Sequence, residues 1–141
     1  MEIVINYWAV LACGVTSIVL GTLWYGPFFG KKWMKLSGIT MGKMDATAKR
    51  KMMTSYGIMT AGSLVMAYVL AHSLIFAAAY TSTAGIAAGL MVGFWTWVGF
   101  IAPTSMGATL WEGKSWTLWM INSGYYLALL LTMGIILALW K

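Results

Sequence analysis

The sequence predicts an all-α, polytopic membrane protein. We expect four transmembrane helices in an antiparallel bundle, with a short amphipathic interfacial helix between the first and second. Three observations predict it. Apolar residues make up 61% of the 141-residue chain and charged residues only 9%, against about 25% in a soluble domain whose surface must face water. The apolar residues gather into four runs, each long enough to cross a hydrocarbon core of about 30 Å at 1.5 Å per residue. Seven of the nine Lys/Arg are confined to one interval, Lys31 to Lys51. At this length one domain, residues 1–141, is the natural organisation.

The first span covers residues 3–25. Cys13, Ser17 and Gly21 recur at the four-residue interval and give it a small-residue face. Tyr7 and Trp8 near one end, and Trp24 and Tyr25 near the other, match interfacial aromatic belts. Met1-Glu2-Ile3 carries no basic leader, and the apolar run is too long for a signal peptide, so it reads as a retained helix. Gly26-Pro27 ends it, because proline disfavours helical geometry in the residue before it.

The basic interval, 31–53, follows. From Thr40 onward Met41, Met44, Ala48 and Met52 share one helical face, with Lys43, Lys49, Arg50 and Lys51 elsewhere around it. That is the pattern of a helix lying on a membrane. Lys31, Lys32, Lys49, Arg50 and Lys51 are the expected contacts for anionic lipid headgroups.

The second span covers 56–80, with a stripe of Ser63, Ala67 and Ala71, and His72 and Ser73 as its most polar members. Thr81-Ser82-Thr83 is too short to do other than join antiparallel neighbours. The third span covers 84–103. Its Gly85, Gly89 and Gly93 form a ridge on which another helix backbone can come close, either within the chain or between subunits. With Ser17, Gly21 and Ala67 they are the expected helix-packing residues. Pro103 removes the helical partner of the Gly99 carbonyl. The helix either kinks or ends there, and Thr104 and Ser105 are placed to satisfy the freed groups. Glu112-Gly113-Lys114-Ser115 is a polar hairpin in which Glu112 pairs with Lys114 or caps the turn. The fourth span, 116–140, is anchored by Trp116, Trp119 and Trp140.

Charge sets the expected orientation. Positively charged loops stay on the cytoplasmic side, and Lys114 falls two crossings after the basic interval, on the same side. Eight of nine basic residues are then inside. The expectation is a multi-pass protein of the cytoplasmic (inner) membrane with both termini outside. Its partners are then the bilayer and its anionic headgroups, and the basic charge does not imply nucleic acid.

Two polar constellations emerge when the spans are aligned by depth. In the cytoplasmic half, Asn122, Tyr125 and Tyr126 share a level with Gly99, Thr104 and Trp24, as a polar pocket or as an interhelical hydrogen-bond cluster. In the outer half lie His72, Asn6, Trp95 and Thr132. His72 is the only histidine and titrates nearest neutrality. It is a proton-linked group or metal ligand facing the bundle, or a neutral imidazole bonded to a neighbouring helix. Cys13 stands alone, without a disulfide or zinc pattern, and the twelve methionines are scattered as adaptable packing. No cofactor or metal site is expected. There is no G-x-S-x-G elbow, His-Asp set, P-loop or pair of carboxylates at matched depth. Acid–base catalysis needs a positioned titrating group, so this scarcity argues against a hydrolase or transferase.

The segment GTLWYGPFFGKKW, from Gly21 to Trp33, and the C-terminal INSGYYLALLLTMGIILALW resemble the domain-of-unknown-function family 1761. The resemblance extends over essentially the whole chain and is weakest in the Met-rich interval from Lys35 to Met53. It implies a four-helix membrane protein, mostly bacterial, and no activity. The expected function is a non-catalytic, homo-oligomeric helical bundle that binds or conducts a small molecule or ion. The alternatives are an accessory subunit or lipid-binding protein, and a membrane-embedded enzyme acting on a lipid or quinone through His72 or Tyr125.

Overall fold

The computed structural model describes residues 4–40, 42 and 45–140. These form five helices and no strand: α1 (Tyr7–Phe28), α2 (Gly30–Ser37), α3 (Ala46–Thr81), α4 (Gly85–Glu112) and α5 (Trp116–Leu139). All but α2 are long and apolar enough to cross a membrane. The chain is a four-helix membrane protein, as its sequence predicts. One end carries the α1–α3 connection and the α4–α5 turn, here called the basic end; the other, called the terminal end, carries the start of α1, the α3–α4 turn and the end of α5.

Short polar side chains start the helices, because the first backbone N–H groups of a helix have no internal partner. Asn6 accepts from the N–H of Trp8 and Ala9, at 3.0 and 3.3 Å. Asp45 accepts from Ala48 at 2.7 Å, and Ser115 from Thr117 at 3.1 Å. Left-handed residues stop them: Gly38 closes α2 and Gly113 closes α4, at φ 68° and 69°, where a side chain would be strained. The Glu112 hairpin is thus capped by backbone, with the Lys114 N–H donating to the Ala108 carbonyl.

The two proline motifs behave differently. Over Trp24–Phe28 and again over Trp97–Ile101 the helix widens to a π turn, the usual form of a local helix bulge. At Gly26 the backbone leaves helical geometry, at φ −105° and ψ −105°, so Gly26-Pro27 interrupts the regular helix of α1 as the sequence predicts, and one further turn leads into α2. Pro103 does not end α4, which continues through Ala102–Ser105 and Gly107–Glu112.

The interfacial helix lies earlier than the methionine spacing suggests. It is α2, Gly30–Ser37, with Trp33, Met34 and Ser37 half-buried and Lys31, Lys32 and Lys35 exposed. Ala48 and Met52 belong to the opening turns of α3, because Asp45 caps a helix with no breaker after it. Met41, Lys43 and Met44 lie outside the described residues. At 36 residues α3 is about 54 Å long, well beyond a hydrocarbon core, so its basic first turns extend past the bundle.

Helix α5 is the central element. Of its most apolar stretch 44% is buried, against 28% for each of the other three long helices. Leu129, Leu130 and Met133 of α5, Cys13 of α1, and Ala67 and Leu70 of α3 form the core. Helix α4 lies closest to α5. A Cβ on Gly89 would collide with the Gly134 carbonyl, and one on Gly93 would come within 2.6 Å of the Leu130 carbonyl. The ridge formed by Gly89 and Gly93 therefore packs inside the chain. Gly85 meets nothing within 4 Å; it serves the turn, at φ 65°.

Candidate functional site

The sharp reversal after α1 builds the most elaborate polar cluster of the molecule. Gly26 leaves helical geometry, and a Cβ on Gly30 would sit 2.5 Å from the Tyr25 carbonyl oxygen. Only glycine allows α2 to fold back this tightly, and the fold brings Trp33 beneath Tyr25. The Tyr25 hydroxyl and the Trp33 indole N–H both donate to Asn122 Oδ1, each at 3.1 Å. An indole N–H only donates, so the oxygen of the Asn122 amide must face it.

Next to this knot, the Tyr125 hydroxyl donates to the Ser17 carbonyl at 3.1 Å. Gly21 leaves room for the Tyr125 ring: a Cβ there would lie 3.3 Å from the hydroxyl. The Tyr125 ring packs on Tyr25 and Tyr126, with centroids 5.3 and 5.2 Å away, and edge-on against Trp24 at 6.4 Å. Trp24 donates its indole N–H to the Ile121 carbonyl at 2.9 Å; from the other flank Trp97 donates to the Ser123 carbonyl at 2.8 Å. Tryptophans that open the two π turns thus grip α5 from both sides.

This cluster walls a wedge-shaped cavity of about 420 Å³ between α1 and α3 at the basic end. Its back is Ser17, Gly21 and Tyr125, its floor Tyr25 and Trp33, and its far side Met52, Tyr56, Met59, Thr60 and Ser63 of α3. The wedge exists because α3 touches the bundle only from Ser63 onward; residues 46–59 are all exposed. The hydroxyls of Ser17, Ser55, Thr60 and Ser63 donate to carbonyls of their own helices. The lining contains no carboxylate, imidazole or amine.

A second cavity, about 520 Å³, lies beyond Asn122 between α4 and α5. Thr104, Ser105, Thr109, Glu112, Lys114 and Trp119 line it with Asn122. Trp119 donates to the Ser105 hydroxyl at 2.9 Å, the Thr104 hydroxyl donates to the Phe100 carbonyl, and Thr109 Oγ1 is enclosed without a partner. A third cavity, about 370 Å³ and lined by apolar side chains apart from Asn6, opens among the four long helices at the terminal end.

Of the residues singled out for the cytoplasmic half, Trp24, Asn122, Tyr125 and Tyr126 are brought together. Thr104 joins Asn122 only across the second cavity, and Gly99 is exposed on the π turn of α4. The four residues singled out for the outer half share no cavity. Asn6 caps α1 at the edge of the apolar cavity. His72 bonds the Tyr68 carbonyl of its own helix at 2.9 Å and packs against the Tyr68 ring. Thr132 bonds the Ala128 carbonyl, and Trp95 is exposed on α4. Neither Trp33 nor any residue of the α3 wall is among those the sequence groups into a pocket. The signal for Trp33 lies in Gly26-Pro27 followed by Gly30, which marks a reversal rather than a stop.

Lys31, Lys32, Lys49, Arg50 and Lys51 are all exposed. Lys32 precedes the wall residue Trp33, and Lys51 precedes Met52. Among the described residues, no group of three or more His, Cys, Asp or Glu side chains is placed to hold a metal ion.

No match was found among curated proteins or among solved structures. A family model described as "Protein of unknown function (DUF1761)" matches residues 8–138, so with this helical order and the Gly21-to-Trp33 reversal in place, the chain belongs to the DUF1761 family.

Proposed function

We propose that this chain is a non-catalytic membrane protein that binds one anionic amphiphile, a lipid of the surrounding bilayer, in the wedge between α1 and α3. The carrying observation is the wedge itself. Its volume of about 420 Å³ falls in the range of small-molecule sites, and its lining is aromatic and apolar with a few placed hydroxyls. Lys32 and Lys51 are exposed and directly precede the lining residues Trp33 and Met52, which supports an acidic headgroup at this end while its chain enters sideways from the membrane.

Binding is supported over conduction by the layer between the cavities. On α1, Cys13 lies between Ala9 of the terminal cavity and Ser17 of the wedge. Ala67 and Leu70 occupy that level on α3, and Leu129, Leu130 and Met133 on α5. All six are at most 2% exposed, and this packed layer supports a closed interior in the single chain. Binding is supported over catalysis by the absence of any base among the wedge residues and by hydroxyls already committed to carbonyls. The walls come from four helices of one copy, so a homo-oligomer is not required to complete the site.

In the same reading the basic end faces the cytoplasm of an inner membrane and both termini face outward, because lysine-rich connections are retained inside. Labelling intact cells that carry Lys49→Cys with an impermeant thiol reagent tests this. Protection is expected, and the buried Cys13 adds little background; modification would reverse the orientation.

The site is tested by filling it. Thr60→Trp projects a large ring into the wedge from α3. Phosphatidylglycerol retained by the purified full chain in native mass spectrometry should fall about tenfold, the equivalent of ~1.4 kcal/mol, with helical content unchanged. Equal retention would remove the wedge as the site.

A further inference from the structure

We propose that the cavity between α4 and α5 at the basic end is a second binding site, built for a phosphoethanolamine group. It does not depend on occupancy of the wedge.

Asn122 has its Oδ1 saturated by Tyr25 and Trp33 on the wedge side. Its amide N–H groups have no acceptor among the described residues, and Asn122 also lines this cavity. Lys114 adds an ammonium. The hydroxyls of Thr104 and Ser105 are spent on the carbonyls of Phe100 and Ala102, and Thr109 Oγ1 is enclosed beyond the reach of a ligand. The Asn122 amide and the Lys114 ammonium therefore remain as donors for an anion.

Glu112 supplies the opposite charge. No Lys or Arg nitrogen lies within 4.0 Å of its carboxylate among the described residues, so Glu112 and Lys114 line one cavity without consuming each other. A carboxylate beside two uncommitted donor groups complements a ligand with a phosphate and a primary ammonium. The ammonium donates to Glu112; the phosphate accepts from Lys114 and Asn122. Trp111, 87% exposed near the rim, fits the headgroup level of a membrane. The group can arrive on a phospholipid or as a free solute.

The test uses the full chain in micelles doped with equimolar phosphatidylethanolamine, phosphatidylglycerol and phosphatidylcholine of matched chains, read by native mass spectrometry. The wild type should retain phosphatidylethanolamine over phosphatidylcholine, whose quaternary ammonium cannot donate. Glu112→Gln and, separately, Lys114→Met should each lower phosphatidylethanolamine retention about fivefold and leave phosphatidylglycerol unchanged. Thr60→Trp should do the reverse, so failure of the wedge and failure of this site are distinguishable. Displacement by millimolar phosphoethanolamine would show that the headgroup suffices; retention against it would assign the site to the lipid. Equal retention of the two zwitterionic lipids by the wild type, or unchanged retention in both variants, would overturn the proposal.

Discussion

The α4–α5 seam and the α1–α3 seam start from similar material and end differently. Both pair apolar helices with small residues at regular intervals. Along α4–α5 the contact is backbone on backbone, Gly89 on Gly134 and Gly93 on the Leu130 carbonyl. Along α1–α3 close contact holds only near Gly14, whose Cβ would sit 2.6 Å from Leu64 Cδ2, and around Cys13, Ala67 and Leu70. Below Ser63 the pair opens into the wedge. Helix α3 also has glycines in its opened part, Gly57 and Gly62, yet nothing lies within 4 Å of either. In lipid, apolar surface gains little by leaving one oily neighbour for another, so contact depends on interlocking shape. A glycine makes a seam only where the facing helix also presents backbone.

That comparison can be broken at its tight side first. Gly134→Val drives a branched side chain into α4, and unfolding free energy measured by detergent titration should fall by roughly 3 kcal/mol or more. A loss under 1 kcal/mol would mean that the seam is not close-packed.

The next largest effect concerns the knot that floors the open side. Asn122→Ala strands the Tyr25 hydroxyl and the Trp33 indole N–H together, and should cost about 1–2 kcal/mol. Amide exchange over Gly30–Ser37 should rise, because Trp33 is the polar tie holding α2 to α5. Unchanged exchange there would show α2 to be held by packing alone.

Trp97→Phe keeps an aromatic ring but loses the N–H donated to the Ser123 carbonyl, and should cost about 1 kcal/mol in the same titration. Trp24→Phe should match it if the two π turns grip α5 equally; a twofold larger loss at one would rank the flanks.

The smallest effect sharpens the comparison from the open side. Gly57→Ala should leave stability unchanged or raise it by about 0.5 kcal/mol, because a helical glycine that touches nothing only adds backbone freedom to the unfolded chain. Loss of stability there would mean that an unseen neighbour covers the face.

Much of this was legible along the chain. Four apolar runs became four long helices, and the four-residue glycine interval became the α4–α5 seam. Depth alone placed Trp24, Asn122, Tyr125 and Tyr126 at one level. The same argument grouped His72, Asn6, Trp95 and Thr132, which share a level without sharing a cavity. Depth fixes height in the bundle, not the direction a side chain points. His72 shows the difference: its ring turns to its own helix and finds the Tyr68 carbonyl there. The wedge itself had no linear signature, because its walls are contributed by residues 17 to 125 from four helices.

What the sequence determined by itself was the class of protein, the number and order of its long helices, and which of their edges were smooth enough to touch. Those follow from spacing within one helix, where 3.6 residues per turn make a one-dimensional pattern sufficient. What the tertiary structure decided was which smooth edges meet, that α4 continues past Pro103, and that α3 leans away to leave a cavity. Those depend on the relative placement of helices in three dimensions, set by many small contacts of which no one residue carries the sign.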